Sequence, residues 1–213
     1  MTLRLNGSTS GYTEIDAPAV AGSNTLVLPS GNGTADQALV TNGSGTLSFA
    51  DRGRMVLATA QNSTSGTSID FTGIPSWVKR VTVTIRDVST NGNSQMLVQL
   101  GTGSIVTTGY SSRTTSINGA NQTNANANGN GFGMNTTGNA VAAGISAGQI
   151  IFTLHGSNVW VASGSTQDNT SALVQFIQAG LIALSGTLDR IRITTANGTD
   201  TFDAGSINIL YEG

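Results

Sequence analysis

A single histidine, His155, lies in the sequence IIFTLHG and is the chain's one candidate for a catalytic imidazole. A Ser–His–Asp hydrolase would have to use it as the general base. His155 falls at a predicted hairpin turn around Gly156, and no nucleophile-elbow sequence accompanies it there. We therefore predict a structural or surface role for this histidine.

Carboxylates are the other groups that could support catalysis or hold a metal ion. Glycoside cleavage uses two carboxyl groups on opposite sides of the scissile bond, but no motif pairs any two aspartates of this chain. Asp200 and Asp203 lack the spacing of an EF-hand and are predicted to form Asx turns. The sequence thus predicts a protein that is not an enzyme and needs no metal or cofactor. The aspartates considered are Asp70, Asp87, Asp168, Asp189, Asp200 and Asp203.

Rings and amides are better suited to binding a sugar than to cleaving one. Trp77 and Trp160 have apolar neighbours and are predicted to pack in the core, whereas Tyr110 precedes a long Asn- and Gly-rich stretch and could stack on a sugar ring. The amides and hydroxyls of that stretch suit hydrogen bonding to carbohydrate, the alternative being an ordinary polar surface. The predicted receptor-binding residues are Tyr110, Arg113, Asn121, Asn124, Asn126, Asn128 and Asn130.

The composition indicates that an all-β scaffold positions these residues. Charged residues make up 9% of the 213 residues, Glu occurs twice and Lys once, so the residues that usually cover helix surfaces are scarce. The net charge of −2 offers no electrostatic basis for binding nucleic acid, and there is no cysteine. We also expect no secretion signal and no membrane insertion, because the chain starts without a signal sequence and has no apolar run of spanning length.

Alternating patterns predict individual strands. Residues 188–194 and 206–211 alternate apolar and polar side chains, with turns expected at Asn197-Gly198 and Ala204-Gly205, and residues 80–86 give the clearest strand. Residues 171–186 fit either a helix face, through residues such as Leu173, or a buried strand, and we favour the strand. About eight to ten strands in all suit a β-sandwich or jelly roll.

Residues 111–148 interrupt these patterns. They are rich in Asn, Gly and Thr, with sparse apolar residues that include Ile117, Met134 and Ile145. We predict one or two short strands around Phe132 and Val141 and an exposed loop elsewhere, because long structureless insertions in compact domains are usually functional.

The first 50 residues differ from the rest. Short apolar groups such as Leu26-Val27-Leu28 are each followed by Gly, Asn or Pro, and none is long enough to bury a face within its own chain. Three intertwined copies sharing a thin core, or a flexible leader, would both explain this pattern. The charge cluster Asp51-Arg52-Gly53-Arg54 follows, and we place the domain boundary there, giving domains 1–52 and 53–213.

Three stretches resemble small bacteriophage tail-fibre proteins, especially those of phages of aquatic bacteria, including cyanobacteria. LPSGNGTADQALVTNGSGTLSFA (28–50) resembles linker repeats that precede fibre heads, with Phe49 where Trp is common. FTGIPSWVKRVTVTIRDVSTNG resembles the opening strands of a fibre head, and TLDRIRITTANGTDTFDAGSINILYEG its end. The last stretch is the most specific of the three.

The resemblance implies a homotrimeric virion protein with a narrow amino-terminal stalk and a β-sandwich, jelly-roll-like head. Residues 1–50 would attach it to tail or baseplate proteins, or alternatively to capsid proteins, and the head would recognise a host-surface glycan without cleaving it. A tail position is favoured over the head of the particle. The alternatives are a head fibre or capsid decoration protein with the same head module and, least favoured, a tailspike depolymerase.

Overall fold

The computed structural model describes residues 3–35, 37–50, 53–119, 121–142, 144–169 and 174–213. This part of the chain consists of strands, turns and connecting segments without a helix, which confirms the all-β prediction, and so it has no helix that could cross a membrane. The chain divides into two compact units, Met1–Arg52 and Gly53–Gly213. The predicted charge cluster at Asp51 and Arg52, and Leu173, lie outside the described residues.

Two antiparallel hairpins form the first unit. One pairs β1 (Leu3–Asn6) with β2 (Tyr12–Ile15), and the other pairs β3 (Ala38–Thr41) with β4 (Leu47–Ala50). In the first hairpin Leu3 lies opposite Ile15 on one face, while Arg4 lies opposite Glu14 on the other, at an ion-pair distance of 2.8 Å. The described residues leave most of this apolar face uncovered, since both Leu3 and Ile15 are more than half exposed.

Within residues 28–50, Gly33, Gln37 and Asn42 have local structural roles. Gly33 adopts a positive φ of 69°, and a Cβ there would come within 2.6 Å of the Phe49 ring. The Gln37 side chain accepts a hydrogen bond from the Thr34 N–H, and the Asn42 side chain accepts one from the Ser44 N–H. These residues therefore fix the approach to β3 and the β3–β4 turn.

The second unit contains two sheets. Its strands are β5 (Met55–Leu57), β6 (Gln61–Asn62), β7 (Ser68–Thr72), β8 (Arg80–Thr90), β9 (Met96–Thr102), β10 (Ser104–Ile105), β11 (Ser111–Asn118), β12 (Asn121–Asn128), β13 (Phe132–Gly133), β14 (Ser146–Gly156), β15 (Val159–Asp168), β16 (Val174–Ala183), β17 (Arg190–Thr195) and β18 (Phe202–Glu212). The nine-stranded sheet has the order β12-β11-β16-β15-β14-β8-β18-β5, with β6 also on β18. The five-stranded sheet has the order β10-β9-β17-β7, with β13 also on β9. The described part of this unit has fourteen strands, more than the eight to ten predicted. Strands β6, β10 and β13 have two residues each, and β11 and β12 lie in the stretch that was predicted to be mostly loop.

One hydrophobic cluster receives side chains from both sheets. Val81 and Val83 of β8 are fully buried and belong to the nine-stranded sheet, while Ile191 and Ile193 of β17 are fully buried and belong to the five-stranded sheet. All four follow the alternation seen in the sequence, with polar neighbours on the opposite face. Trp160 of β15 also joins the cluster, as predicted.

The end of the chain partly corrects the sequence prediction. Gly198 lies in a turn, as expected, with a φ of 68°. Gly205 also has a positive φ, but it lies inside β18, where the pairing with β8 shifts register between Ala204 and Ser206. A Cβ at Gly205 would lie 2.6 Å from the Arg86 carbonyl oxygen. The glycine therefore permits a β-bulge and not a turn. The ambiguous stretch is a strand, β16, as favoured.

Candidate functional site

The prediction that residues 111–148 form mostly an exposed loop is wrong. Strands β11 and β12 make a regular hairpin, and β11 also pairs with β16 over Ser111 to Ile117. The buried positions of β11 are Ser112, Thr114 and Ser116, which are polar. Because both faces of this strand are polar, its alternation does not appear in a hydrophobic pattern.

A segment that we call the strap, residues 131–142, follows the hairpin and closes over buried polar side chains. Phe132 and Met134 are buried in the core, and β13 forms at Phe132 as predicted. No strand forms around Val141, which is 45% exposed, so that part of the prediction is wrong. The Thr114 hydroxyl donates to the Gly133 carbonyl over 3.0 Å.

Two predicted binding residues of β12 instead hold the strap. The Asn124 side-chain amide donates to the Asn139 side chain over 2.9 Å. Asn126 donates to the Thr137 hydroxyl and accepts from the Thr137 N–H, both over 3.0 Å. Amide groups paired in this way have less hydrogen-bonding capacity for a ligand.

A third predicted residue of β12, Asn128, is also removed from the surface. Its side chain is buried and approaches the Thr114 hydroxyl at 3.5 Å. On the opposite face of β12 lie the exposed methyl groups of Ala125 and Ala127. The three alternate asparagines of the strand thus face the protein, while its exposed face presents alanine.

Tyr110 is a core residue, which corrects the prediction that its ring stacks on a sugar. It is 6% exposed, and its ring meets Phe132 edge-on at 5.1 Å between centroids. The hydroxyl accepts from the Leu100 N–H and donates to the Val106 carbonyl, both over 2.8 Å. Burial raises the pKa of Tyr110 to about 12, although the hydrogen bond from Leu100 acts in the opposite direction.

Arg113 remains available for binding. Its exposed side chain lies on β11 between Ala127 of β12 and Ala179 of β16, and it makes no ion pair or hydrogen bond within the described part of the chain. Nearby, a cavity of about 340 Å³ opens at the base of the hairpin. Its lining consists of Tyr110, Ser111, Ser112, Arg113, Ala127, Asn128 and Gly129.

The hairpin-base cavity combines a guanidinium with small and polar groups. Arg113 can donate several hydrogen bonds in one plane, and the volume falls in the range of about 300–1,000 Å³ that is usual for ligand pockets. The Ser112 hydroxyl is buried without a partner among the described residues, beside this lining. The arrangement can hold an oxygen-rich ligand by hydrogen bonds.

The remaining predicted binding residues lie elsewhere. Asn121 is exposed at the start of β12, and its side chain makes no hydrogen bond within the described residues. Asn130 lines a separate groove, on the five-stranded sheet. The structure thus brings Tyr110, Arg113 and Asn128 to one cavity and leaves the other predicted residues outside it.

Apolar side chains on the exposed face of the nine-stranded sheet were not predicted as functional. Val161, Ile177 and Leu181 are 42%, 49% and 46% exposed, and Val161 and Leu181 are direct cross-strand neighbours. In the sequence they alternate with buried residues and are therefore indistinguishable from the second face of any strand. They mark an apolar surface that a partner could cover.

The possible general base, His155, and a possible nucleophile, Ser146, lie far apart. His155 is exposed near the β14–β15 turn, as predicted. Ser146, which was not among the predicted site residues, lies within a G-x-S-x-G match, Gly144 to Gly148. It is buried in β14, nine residues from His155, which is about 30 Å along a strand. The two residues therefore cannot form a nucleophile–base pair.

Asp70, Asp189, Asp200 and Asp203 contact structural partners. Asp70 binds Arg192, Asp189 binds Arg190, and Asp203 accepts from the Ser89 hydroxyl. Asp200 accepts from the Ser94 N–H over 2.9 Å and from the Asn197 side chain over 2.6 Å. The Asx turn of this loop is made by Asn197, whose side chain accepts from the Thr199 N–H. No cluster of metal-binding side chains occurs among the described residues.

Comparison with known protein families, curated proteins and solved structures finds no match to this chain.

Proposed function

We propose that this chain is a bacteriophage virion protein, a tail-fibre adhesin that binds a host-surface glycan without cleaving it. The observation that carries the proposal is the first unit, in which large apolar side chains are more than half exposed. They are Leu3, Leu5, Tyr12, Ile15, Val20, Leu26, Val27, Leu28 and Leu39. Apolar faces of this kind are stable when identical copies cover them. The same unit carries the stretch that resembles fibre linker repeats.

Residues 1–52 then form a trimeric stalk segment, and residues 53–213 a β-sandwich head of jelly-roll type. The single cluster of buried side chains from the nine-stranded and five-stranded sheets supports a sandwich. Three copies also multiply weak glycan binding into firm attachment.

Receptor binding is assigned to the hairpin-base cavity with Arg113. The guanidinium is unpaired within the described residues and can donate to sugar hydroxyls, while the flanking Ala127 and Ala179 leave it accessible. The absence of cleavage is proposed because Asp70 and Asp189 are held in ion pairs, Asp200 accepts hydrogen bonds within its own loop, and Asp203 accepts one from the Ser89 hydroxyl. Partners are thus two further copies, tail or baseplate proteins, and a glycan.

Gold-labelled antibody against the chain, viewed by electron microscopy on particles of the phage that encodes it, tests the virion assignment. Label at the tail tip or baseplate is the expected result. Label over the head of the particle would contradict the tail-fibre assignment and support a head fibre or capsid decoration protein. Particles without label would contradict any virion role.

Binding of the purified chain to the phage's host cells tests the cavity. Arg113→Ala should lower cell binding at least about tenfold, since loss of a charged hydrogen bond costs roughly 1.5–3 kcal/mol. Its melting temperature should not change, because the side chain is exposed and unpaired. Arg86→Ala is the matched control, with an exposed arginine on β8 of the same sheet. Equal binding by both variants would remove the cavity from the proposal.

A further inference from the structure

We propose that a groove on the five-stranded sheet is a second glycan site, specific for a neutral saccharide. The groove has a volume of about 360 Å³, and polar side chains of β7, β9 and β17 form its floor. The lining residues that matter here are Ser68, Gln99, Thr107, Asn130, Arg192 and Thr194. This inference rests on the proposed function, because it assumes that the chain binds carbohydrate.

The sheet register brings these side chains together. Arg192 of β17 is paired with Gln99 of β9, and Thr194 of β17 is paired with Ser68 of β7. The alternate residues of β17, Ile191 and Ile193, are fully buried in the core. Because side chains alternate along a strand, Arg192 and Thr194 point away from the core into the groove.

Internal hydrogen bonds hold the floor of the groove in place. The Arg192 Nε and one Nη bind the Asp70 carboxylate over 2.7 and 2.6 Å. The Thr194 hydroxyl donates to the Thr67 carbonyl over 2.9 Å, and the Gln99 amide nitrogen donates to the Asn130 carbonyl over 2.7 Å. Groups fixed before binding lose less entropy when a ligand arrives.

Unused polar atoms remain at the same place. The second Nη of Arg192, the Gln99 side-chain oxygen and the Asn130 side-chain amide make no hydrogen bond in the part of the chain that is described. The same is true of the Ser68 and Thr107 hydroxyls. This set contains both donors and acceptors, which matches sugar hydroxyls, since each of these is donor and acceptor at once.

The charge of the groove selects against anionic sugars. Asp70 neutralises Arg192 through two hydrogen bonds, which also raise the pKa of the Arg192 guanidinium, so this ion pair adds no net charge to the groove. A uronic or sialic acid would find no uncompensated cation here, in contrast to Arg113 at the hairpin-base cavity. The volume lies within the range of about 300–1,000 Å³ that is usual for small-molecule pockets.

Amide NMR on the full-length chain, titrated with methyl glycosides, tests this site. The neutral probes are glucose, galactose, mannose, rhamnose, N-acetylglucosamine and N-acetylgalactosamine, and the anionic probes are glucuronic acid and N-acetylneuraminic acid. We expect at least one neutral probe to shift the amides of Asn130 and of residues 192–198. Asn130→Ala should weaken that binding at least about tenfold, the effect of roughly 1.4 kcal/mol. Folding should be kept, because the Asn130 side chain has no internal partner among the described residues. Asn121→Ala is the matched control, an exposed and unpaired asparagine outside the groove.

The outcomes separate this inference from the proposed function. Shifts confined to the hairpin-base cavity, or a groove that prefers the anionic probes, would overturn the neutral-saccharide site and leave the adhesin proposal standing. The same holds if no probe shifts the groove while the chain still binds host cells. A chain that binds neither the sugar probes nor host cells would overturn both the groove site and the adhesin proposal.

Discussion

The hydroxyl of Tyr110 accepts a 2.8 Å hydrogen bond from the backbone N–H of Leu100, in the middle of β9. The same hydroxyl donates to the Val106 carbonyl, so one side chain ties β9 to the segment that leads into β11. The ring packs edge-on against Phe132, the first residue of β13. Tyr110 therefore anchors the hairpin and the strap to the five-stranded sheet.

The raised pKa of Tyr110 predicts a loss of stability at alkaline pH. An unfolded tyrosine ionises near pH 10, whereas folded Tyr110 keeps its proton up to about pH 12. The protonated Tyr110 therefore stabilises the fold fully below pH 10. As the pH rises to 12, the free energy of unfolding should fall by about 2–3 kcal/mol. Tyr110→Phe should cost about 1–3 kcal/mol at pH 8, because the Leu100 N–H loses its partner. Urea unfolding should show that the difference in free energy of unfolding between wild type and Tyr110→Phe becomes smaller by pH 11.5.

Tyr211→Phe serves as the control for this alkaline effect. Tyr211 is a partly exposed residue of β18 whose ring contacts Trp77 at 5.9 Å between centroids. The free energy of unfolding of this variant is measured at the same pH values, so that Tyr110→Phe is compared with the loss of a tyrosine hydroxyl that is not fully buried. A difference between wild type and Tyr110→Phe that stays constant from pH 8 to pH 11.5 would show that burial of Tyr110 does not set the alkaline limit.

Substitution of Asn126 should destabilise the fold, whereas substitution of Asn121 should not. Asn126→Ala removes both hydrogen bonds to Thr137 and should lower the free energy of unfolding by about 1–2 kcal/mol. Hydrogen exchange at the Thr137 amide should become faster, because that amide loses its acceptor. Asn121→Ala should change neither quantity, since its side chain is exposed and unpaired in the described structure. Unchanged exchange at Thr137 in Asn126→Ala would contradict the strap geometry.

Gly133 lies in the strap at a position that leaves no room for a side chain. A Cβ there would lie 2.5 Å from the Thr114 hydroxyl oxygen and 2.6 Å from the Asn128 amide nitrogen. Both neighbours are buried, so Gly133→Ala should destabilise the chain by about 1–3 kcal/mol through overpacking. Gly129→Ala is the matched control, because nothing lies within 4 Å of its Cβ position. Thermal unfolding of both variants measures the difference, and equal melting temperatures would contradict this packing.

The strands that could be predicted from the sequence are those with an apolar inner face. Val81, Val83 and Ile85 of β8 follow a period of two and are buried as expected. Strands β11 and β12 could not be found in this way, because their inner faces consist of Ser, Thr and Asn, of which Thr114, Asn124 and Asn126 bond to the strap. Their composition is also that of an exposed loop. Tertiary contacts alone distinguish the two cases.

The candidate site was affected by the same ambiguity. Asparagine is equally suited to a solvent-exposed sugar site and to an internal hydrogen-bond network, as Asn124 and Asn126 show. The position of Arg113 on the exposed face depends on the register of a strand that the sequence does not reveal.

Deletion of residues 112–140 should unfold the second unit, since Phe132 and Met134 belong to its core.

The proposed stalk predicts a trimeric mass in solution, and the double substitution Leu3→Ser/Ile15→Ser should lower it. Leu3 and Ile15 are direct cross-strand partners, 59% and 62% exposed, so a single chain gains little from their apolar side chains. In a trimer their burial would contribute about 1.5–3 kcal/mol per side chain. Light scattering should therefore give about three times 21.6 kDa for the wild type and a lower mass for Leu3→Ser/Ile15→Ser. Arg4→Gln is the control on the opposite face of the same hairpin and should remain trimeric. A monomeric wild type, or a double variant that keeps the full mass, would contradict a stalk built on this face.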